Sequence, residues 1–242
     1  MMRRLASWFL LCVLGAAMAW WITKQGYPFV LASAEARASL EVSAEQLAEL
    51  KAARYASDAI AYGVVGAILV EICMLTFRIF HWIRPTDKRS WFSDLPVLVV
   101  GAGVGFLAGA AGGWLGNSFE DGNSWNLDTT TRIMIRSAIV MLPAAVAGAV
   151  GILMIERSAR RSGDALLGAI LGVGLSLVVT AALHGNLTTF EARPPVFPDQ
   201  PANRALFPTA YLFCTTFLIC IMAGRSEAGR NESGREEANR QG

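Results

Sequence analysis

The sequence predicts an all-α fold, a polytopic bundle of transmembrane helices that forms one domain over residues 1–224. Of the 242 residues, 54% are apolar and only 17% are charged, with a mean hydropathy of +0.42. Soluble domains carry about 25% charged residues, and a membrane-spanning helix needs about 20 apolar residues. Six stretches meet that requirement. The predicted spans are residues 5–23, 59–80, 95–116, 137–155, 165–184 and 207–224.

Basic residues set the predicted orientation of these spans. Lys and Arg are retained on the cytoplasmic side of a membrane. With the N-terminus inside, the inner segments hold 13 basic residues and the outer segments hold 8, and the inner loops near residues 84–89 and 157–161 give the clearest signal. Six of the seven Trp also fall near a span boundary, where Trp is enriched. Both termini are therefore predicted to be cytoplasmic.

The first span has an alternative interpretation as a cleaved signal peptide. Arg3 and Arg4 precede an apolar run, and residues 17–19 form a small-residue cleavage motif. Cleavage would leave five spans and an outside N-terminus. The apolar run continues through Trp20 and Trp21, however, which makes it long enough to span the bilayer. We therefore expect the first span to be retained.

An outer helical segment is predicted at residues 33–57, between the first two spans. The segment is rich in Ala, Glu and Leu and contains no Gly or Pro, which favours helix. Ser43 and Gln46 have the spacing of a capping box, so a helix starting there would run directly into the second span. Because its apolar positions make only a narrow stripe, we expect a solvated stalk or an interfacial helix, not a binding motif.

Two other segments are predicted to lack regular structure. The outer loop before the last span carries four prolines between residues 194 and 201, and these favour an extended chain. Residues 225–242 repeat a five-residue pattern of balanced charge that matches neither a helix nor a strand. This pattern predicts a disordered cytoplasmic tail.

Glycines recur at four-residue spacing in the third span, and a shorter version occurs in the fifth. Glycines at this spacing line one helix face and let a second backbone approach closely in lipid. The run in the third span resembles a glycine zipper, a packing motif of unrelated membrane proteins that identifies no family. The predicted helix-packing residues are Gly101, Gly105, Gly109, Gly113, Gly168 and Gly172.

Glu71 lies near the middle of the second span, where an acidic side chain costs a few kcal/mol. Ala59, Gly63 and Ala67 precede it at four-residue spacing, so this face should turn Glu71 toward a neighbouring helix. One interpretation is a proton-coupled site. The other is a structural tie that hydrogen-bonds two helices, and the lack of a second acidic residue at that depth favours it.

Other polar residues of the spans are given lesser roles. If Glu71 serves transport, Ser176 and Thr180 of the fifth span are candidate lining residues. Arg78 lies two turns nearer the cytoplasm than Glu71 and is expected to snorkel toward the interface.

Signatures of catalysis and of cofactor binding are absent from the sequence. No GxSxG elbow, HExxH motif or P-loop occurs, so we expect a non-enzymatic protein with no catalytic residues. His81 and His184 lie at opposite depths, which argues against a shared metal or haem, and no cofactor or metal site is predicted. The four cysteines lie in apolar runs without a CxxC pair, so neither disulfides nor a thiolate metal site is indicated.

The expected surroundings of the chain are lipid and other membrane helices. The net charge of +2 is too small to suggest a nucleic-acid partner. Abundant Ala and Gly, with Arg as 18 of the 21 basic residues, are typical of bacteria with GC-rich genomes, so we expect the bacterial inner membrane. The leading hypothesis is a scaffold or subunit of a membrane assembly, as a homo-oligomer or with a membrane-protein partner. The alternative is a small secondary transporter or channel, proton-linked through Glu71.

Overall fold

A computed structural model describes residues 2–38, 43–82, 91–122, 129–187 and 208–224. All regular secondary structure within these ranges is helical. The predicted proline-rich loop and the predicted tail lie outside the described residues. The helices are α1 (Met2–Gly26), α2 (Ala34–Ala38), α3 (Ala44–Trp82), α4 (Trp91–Gly122), α5 (Thr129–Glu156), α6 (Ala159–Leu187) and α7 (Pro208–Gly224).

Within the described ranges, five helices are long and apolar enough to cross a membrane, and α7 is a shorter apolar helix. Each of the six predicted spans coincides with one of these helices. The predicted fold class, an all-α polytopic bundle, is therefore confirmed. If α7 crosses as well as the five longer helices, Met2 and Gly224 lie on the same side of the membrane, and the assignment of that side to the cytoplasm stays a prediction from the basic residues.

Helix α3 forms the centre of the bundle. It contacts α1, α2, α4 and α5. In the most apolar part of its span, 72% of α3 is buried, whereas in the corresponding part of α4 only 28% is buried. Its 39 residues make a helix about 58 Å long, roughly twice the thickness of the hydrocarbon core. The first turns of α3 therefore project beyond the hydrocarbon core on the predicted outer side.

The N-terminus of α3 carries the hydrogen bonds of a capping box. The backbone amide of Ser43 donates to Oε1 of Gln46 at 3.0 Å, and the amide of Gln46 donates to Oγ of Ser43 at 3.2 Å. These bonds satisfy amides that the helix itself leaves without acceptors. From there α3 continues unbroken through the predicted outer segment and the second span.

The outer part of α3 is exposed at most of residues 43–52, but one side of it contacts the chain after α1, and the expectation of a solvated stalk or an interfacial helix stays a prediction. Oγ of Ser57 accepts a hydrogen bond from the amide of Val30 at 2.9 Å and donates to its carbonyl at 3.0 Å, while Glu49 accepts two from Ser33. The chain after α1 folds back onto α3 because α3 offers these hydrogen-bonding partners. Periodicity within one segment does not predict such a pairing between segments. An apolar cluster fills the contact, formed by Val30, Ala32, Ala36, Leu50 and Ala53.

Helix α7 packs against α1, α5 and α6. The Tyr211 hydroxyl donates to the Met141 carbonyl of α5 at 2.6 Å, and the Thr216 hydroxyl lies 3.1 Å from Sγ of Cys12 in α1. Residues 17–19, the alternative cleavage motif, lie within the continuous helix α1, and Ala19 is fully buried. Helix α1 is thus part of the packed bundle.

Three cysteines from different helices meet in the core. Cys12 of α1, Cys73 of α3 and Cys220 of α7 are fully buried free thiols of one apolar cluster. Cys73 shares a hydrogen bond with Cys220. No sequence pattern predicts this grouping, because the three residues are far apart in the chain and follow no spacing motif.

Candidate functional site

The backbones of α3 and α4 touch at a pair of glycines. A Cβ atom placed on Gly105 would lie 2.5 Å from the carbonyl oxygen of Gly66, and one placed on Gly66 would lie closer still to the carbonyl oxygen of Gly105. Real Cβ atoms do not approach a carbonyl oxygen this closely. Only glycine at both positions lets the two helices reach this separation.

The other predicted packing glycines of the third span, Gly101, Gly109 and Gly113, also lie against α3. Gly109 faces the carbonyl of Tyr62, and a Cβ on Gly113 would lie 2.9 Å from the carbonyl oxygen of Asp58. Gly101, nearer the inner end, lies against the side chain of Met74. The four glycines therefore make one continuous contact with α3.

Gly168 and Gly172 lie at a second backbone contact, between α6 and α7. A Cβ on Gly168 would lie 2.6 Å from the Leu218 carbonyl oxygen, and one on Gly172 would lie 2.6 Å from Cα of Thr215. The structure thus places the six predicted glycines at two helix pairs.

Two further glycines in the middle of helices face outward. Gly103 of α4 and Gly174 of α6 are exposed, and a Cβ on either would meet no atom of the described residues within 4 Å. Both lie among exposed apolar side chains on the lipid-facing surface. The intrachain packing of the described residues therefore does not require glycine at either position.

Glu71 lies at the junction of α3 and α4, half-buried and within hydrogen-bonding reach of the Ala102 backbone. Its Oε1 atom is buried, and it makes no hydrogen bond to the residues that the structure describes. One oxygen of this carboxyl group is therefore left unsatisfied deep in a span, where burial of a polar group without a partner is costly.

Ser176, which was predicted to accompany Glu71, is not joined to it. Ser176 is fully buried, donates to the Val173 carbonyl of its own helix at 2.7 Å, and lies 3.5 Å from the sulfur of Met141 in α5. Its neighbours are thus on α5 and α6, whereas Glu71 faces α4. The side chain of Thr180 lies outside the described part of the structure, as do those of His81 and His184.

Arg78 does not snorkel, and that expectation was wrong. The side chain is 3% exposed and forms an ion pair with Asp94 in the first turn of α4. An intramembrane guanidinium next to a carboxylate is better satisfied by that pair than by reaching for the interface. The ion pair of Arg78 with Asp94 could not be predicted from the sequence, because the sequence does not show how α3 aligns with α4.

A buried acid that was not predicted as a site residue lies at the outer end of the second span, in α3. Asp58 is fully buried. The Tyr27 hydroxyl donates to its Oδ1 at 2.9 Å, and the side-chain amide of Asn117 donates to its Oδ2 at 2.9 Å. A signal was present, since Asn117 continues the four-residue spacing of the third-span glycines by one more step. Asp58 therefore joins three parts of the chain: its own helix α3, helix α4, and the segment that follows α1.

A second polar tie joins α4 to α5 at the same end. Glu120 forms ion pairs with Arg132 at 2.6 Å and with Arg136 at 2.9 Å, and the Arg136 side chain is 6% exposed. Nearby, the Tyr55 hydroxyl donates to Asp121 at 2.7 Å. These groups stabilise helix ends. Among the described residues, no group of three His, Cys, Asp or Glu is placed to hold a metal ion.

Comparisons of the chain with known protein families, with curated proteins and with solved structures find no match. The class of the protein is therefore given by its fold and composition. It is a multi-pass helical membrane protein.

The glycine contact of α3 and α4 predicts opposite effects for two neighbouring positions. Gly105→Ala should lower the free energy of unfolding by about 1–3 kcal/mol, because its Cβ collides with the Gly66 carbonyl. Gly103→Ala is the matched control and should raise it by up to about 1 kcal/mol, since alanine favours helix. Thermal unfolding in detergent compares the variants, and equal tolerance of both would contradict the contact.

The outer polar tie predicts a difference between two tyrosines. Tyr27→Phe removes a hydrogen bond to the buried Asp58 and should cost about 1–3 kcal/mol of stability. Tyr55→Phe should cost less, because water can replace its hydrogen bond to the exposed Asp121. Chemical denaturation in detergent measures both losses, and a larger loss for Tyr55→Phe would disprove the assignment of Asp58 as the stronger tie.

Proposed function

We propose that the protein is a non-enzymatic subunit of an assembly in the bacterial inner membrane, joined to other helices through the lipid-facing sides of α4 and α6. The observation that carries this proposal is the outward position of Gly103 and Gly174. The Arg-rich inner loops and the composition support the bacterial inner membrane.

Gly103 and Gly174 lie in helix interiors, where glycine is unfavourable. Glycine in a helix interior is less favourable than alanine by about 1 kcal/mol. At the α3–α4 contact that cost is offset by close backbone packing, but Gly103 and Gly174 make no such contact within the described residues. In lipid, small residues on an exposed face let another helix approach closely. A helix from outside the chain accounts for both glycines.

The chemistry around these glycines indicates the kind of partner. Val99 and Leu107 flank Gly103 with 66% and 70% of their surface exposed, and Leu171 and Val178 flank Gly174 with 49% and 61%. These neighbours are all apolar. The partner is therefore an apolar transmembrane helix, from a second copy of this chain or from another membrane protein.

The interior of the bundle also favours a structural role. The backbones of α3 and α4 are in contact, and the buried Asp58 and Arg78 of α3 both have polar partners within the chain. A central helix held in this way is suited to maintaining a fixed geometry.

The proposal predicts that bulk at the outward glycines breaks the assembly. Gly103→Leu and Gly174→Leu should each shift the complex purified in mild detergent toward the monomer mass, because the side chain separates the two helix backbones. Gly103→Ala and Gly174→Ala add only a methyl group and should shift the mass less than leucine does. Light scattering after size-exclusion chromatography measures the mass. A monomeric wild type, or complexes unchanged by leucine, would rule out these faces as contacts.

A second candidate function is proton-linked transport through Glu71. The observation that favours it is the buried Oε1 atom, which makes no hydrogen bond among the described residues, whereas a structural tie would engage both oxygens. Ionisable groups within spans are functional by default because of their cost. Ser176 adds no support, since its neighbours lie on other helices.

Glu71→Leu separates the two roles of this carboxyl group. If Glu71 serves transport, leucine should raise the thermal stability in detergent, since it removes an unsatisfied group from a span. In liposomes, Glu71→Gln should then abolish pH-dependent flux. Because glutamine has the size of glutamate, it controls for packing in both assays. A clear loss of stability in Glu71→Leu, with unchanged flux in Glu71→Gln, would assign the residue as a structural tie.

A further inference from the structure

A pocket of about 270 Å³ opens at the outer end of the bundle, between residues 27–37 and the outer turns of α3. Two arginines are among its lining residues, Arg37 from the chain after α1 and Arg54 from α3. Val30, Leu31 and Leu50 supply apolar wall. The pocket thus combines two positive charges with an apolar surface.

The walls of this pocket are fixed by hydrogen bonds. Ser57 binds the backbone of Val30 through both its donor and its acceptor, and the Tyr27 hydroxyl is held by Asp58. Nε of Arg37 donates to the Ala32 carbonyl at 3.0 Å, which orients that guanidinium. A site held in this way loses little conformational freedom when a ligand enters.

The charge of the pocket is one-sided. Arg37 and Arg54 are its charged lining residues among those described, and no acidic residue lines it there. Their planar guanidinium groups donate in a fork that fits a phosphate group through paired hydrogen bonds. Two arginines in the wall of one cavity favour an anion there.

The position of the pocket indicates the rest of the ligand. Helix α1 ends at Gly26, immediately before the lining residue Tyr27, and the predicted second span begins two residues after Ser57. The pocket therefore lies where two spans leave the hydrocarbon core, at the depth of lipid headgroups. Leu31 is 61% exposed, as expected of a side chain that contacts the acyl chains of a lipid.

We infer that this pocket binds the phosphate group of an anionic amphiphile, with phosphate on Arg37 and Arg54 and the apolar part against Leu31 and Leu50. The inference is independent of the proposed subunit role, because it uses no residue of the outward faces of α4 and α6.

Native mass spectrometry of the full chain in a neutral detergent tests the inference, with phosphatidylglycerol and phosphatidylcholine added at equal concentration. The wild type should retain phosphatidylglycerol in preference. Arg54→Gln should lower the apparent affinity for phosphatidylglycerol about tenfold, as the loss of a charge-assisted contact implies. Lys51→Gln is the matched control, because it removes a nearby positive charge that pairs with Asp121 outside the pocket, and it should leave the preference unchanged.

Two further arms complete the experiment. Inorganic phosphate alone tests the source of the anion: if it raises the melting temperature of the wild type but not of Arg54→Gln, the site takes phosphate without a lipid tail. Ala53→Phe fills the pocket from its buried wall and should weaken binding with both arginines intact. Equal retention of the two lipids by the wild type, or a preference unchanged in both Arg54→Gln and Ala53→Phe, would overturn the inference. Melting temperatures without lipid verify that each variant is folded.

Discussion

The contact between the backbones of α3 and α4 is the constraint on which the rest of the structure depends. Lipid tails are as apolar as the side chains of a span, so helices in a bilayer gain little from apolar burial and depend on close packing. Gly66 and Gly105 supply that closeness. Neighbouring helices pack onto this pair, α5 where Gly112 faces the Val140 carbonyl and α1 where Gly15 faces a side chain of α3.

The glycine contact also fixes the register that satisfies the charged groups. Each step of four residues along α3, through Asp58, Tyr62 and Gly66, is matched by a step of four in the opposite direction along α4. Continued outward along α4, this ridge reaches Asn117, whose side chain bonds Asp58, and continued inward it brings Arg78 opposite position 93, next to Asp94. Two polar ties far apart in the bundle therefore follow from one packing pattern.

Periodicity within one segment predicted the spans, the glycine faces and the capping box at Ser43, because each depends on residues close in the sequence. Pairings between segments were missed. The fold-back of residues 27–38 onto α3 and the meeting of three cysteines depend on how separate helices align, and Arg78 was misassigned for the same reason. The buried Asp58 was overlooked because it stands at a span boundary, where a charged residue normally faces water.

The register makes the position of Glu71 unusual among the acids and bases of α3. Asp58 and Arg78 lie on the ridge that contacts α4, and each meets a polar side chain there. Glu71 lies one residue beyond that ridge, beside the backbone of Ala102, with one oxygen unsatisfied among the described residues. An apolar residue would pack in this position without that penalty. Stability of the isolated bundle therefore does not account for Glu71, whereas a proton, a ligand or a partner helix would satisfy its buried oxygen.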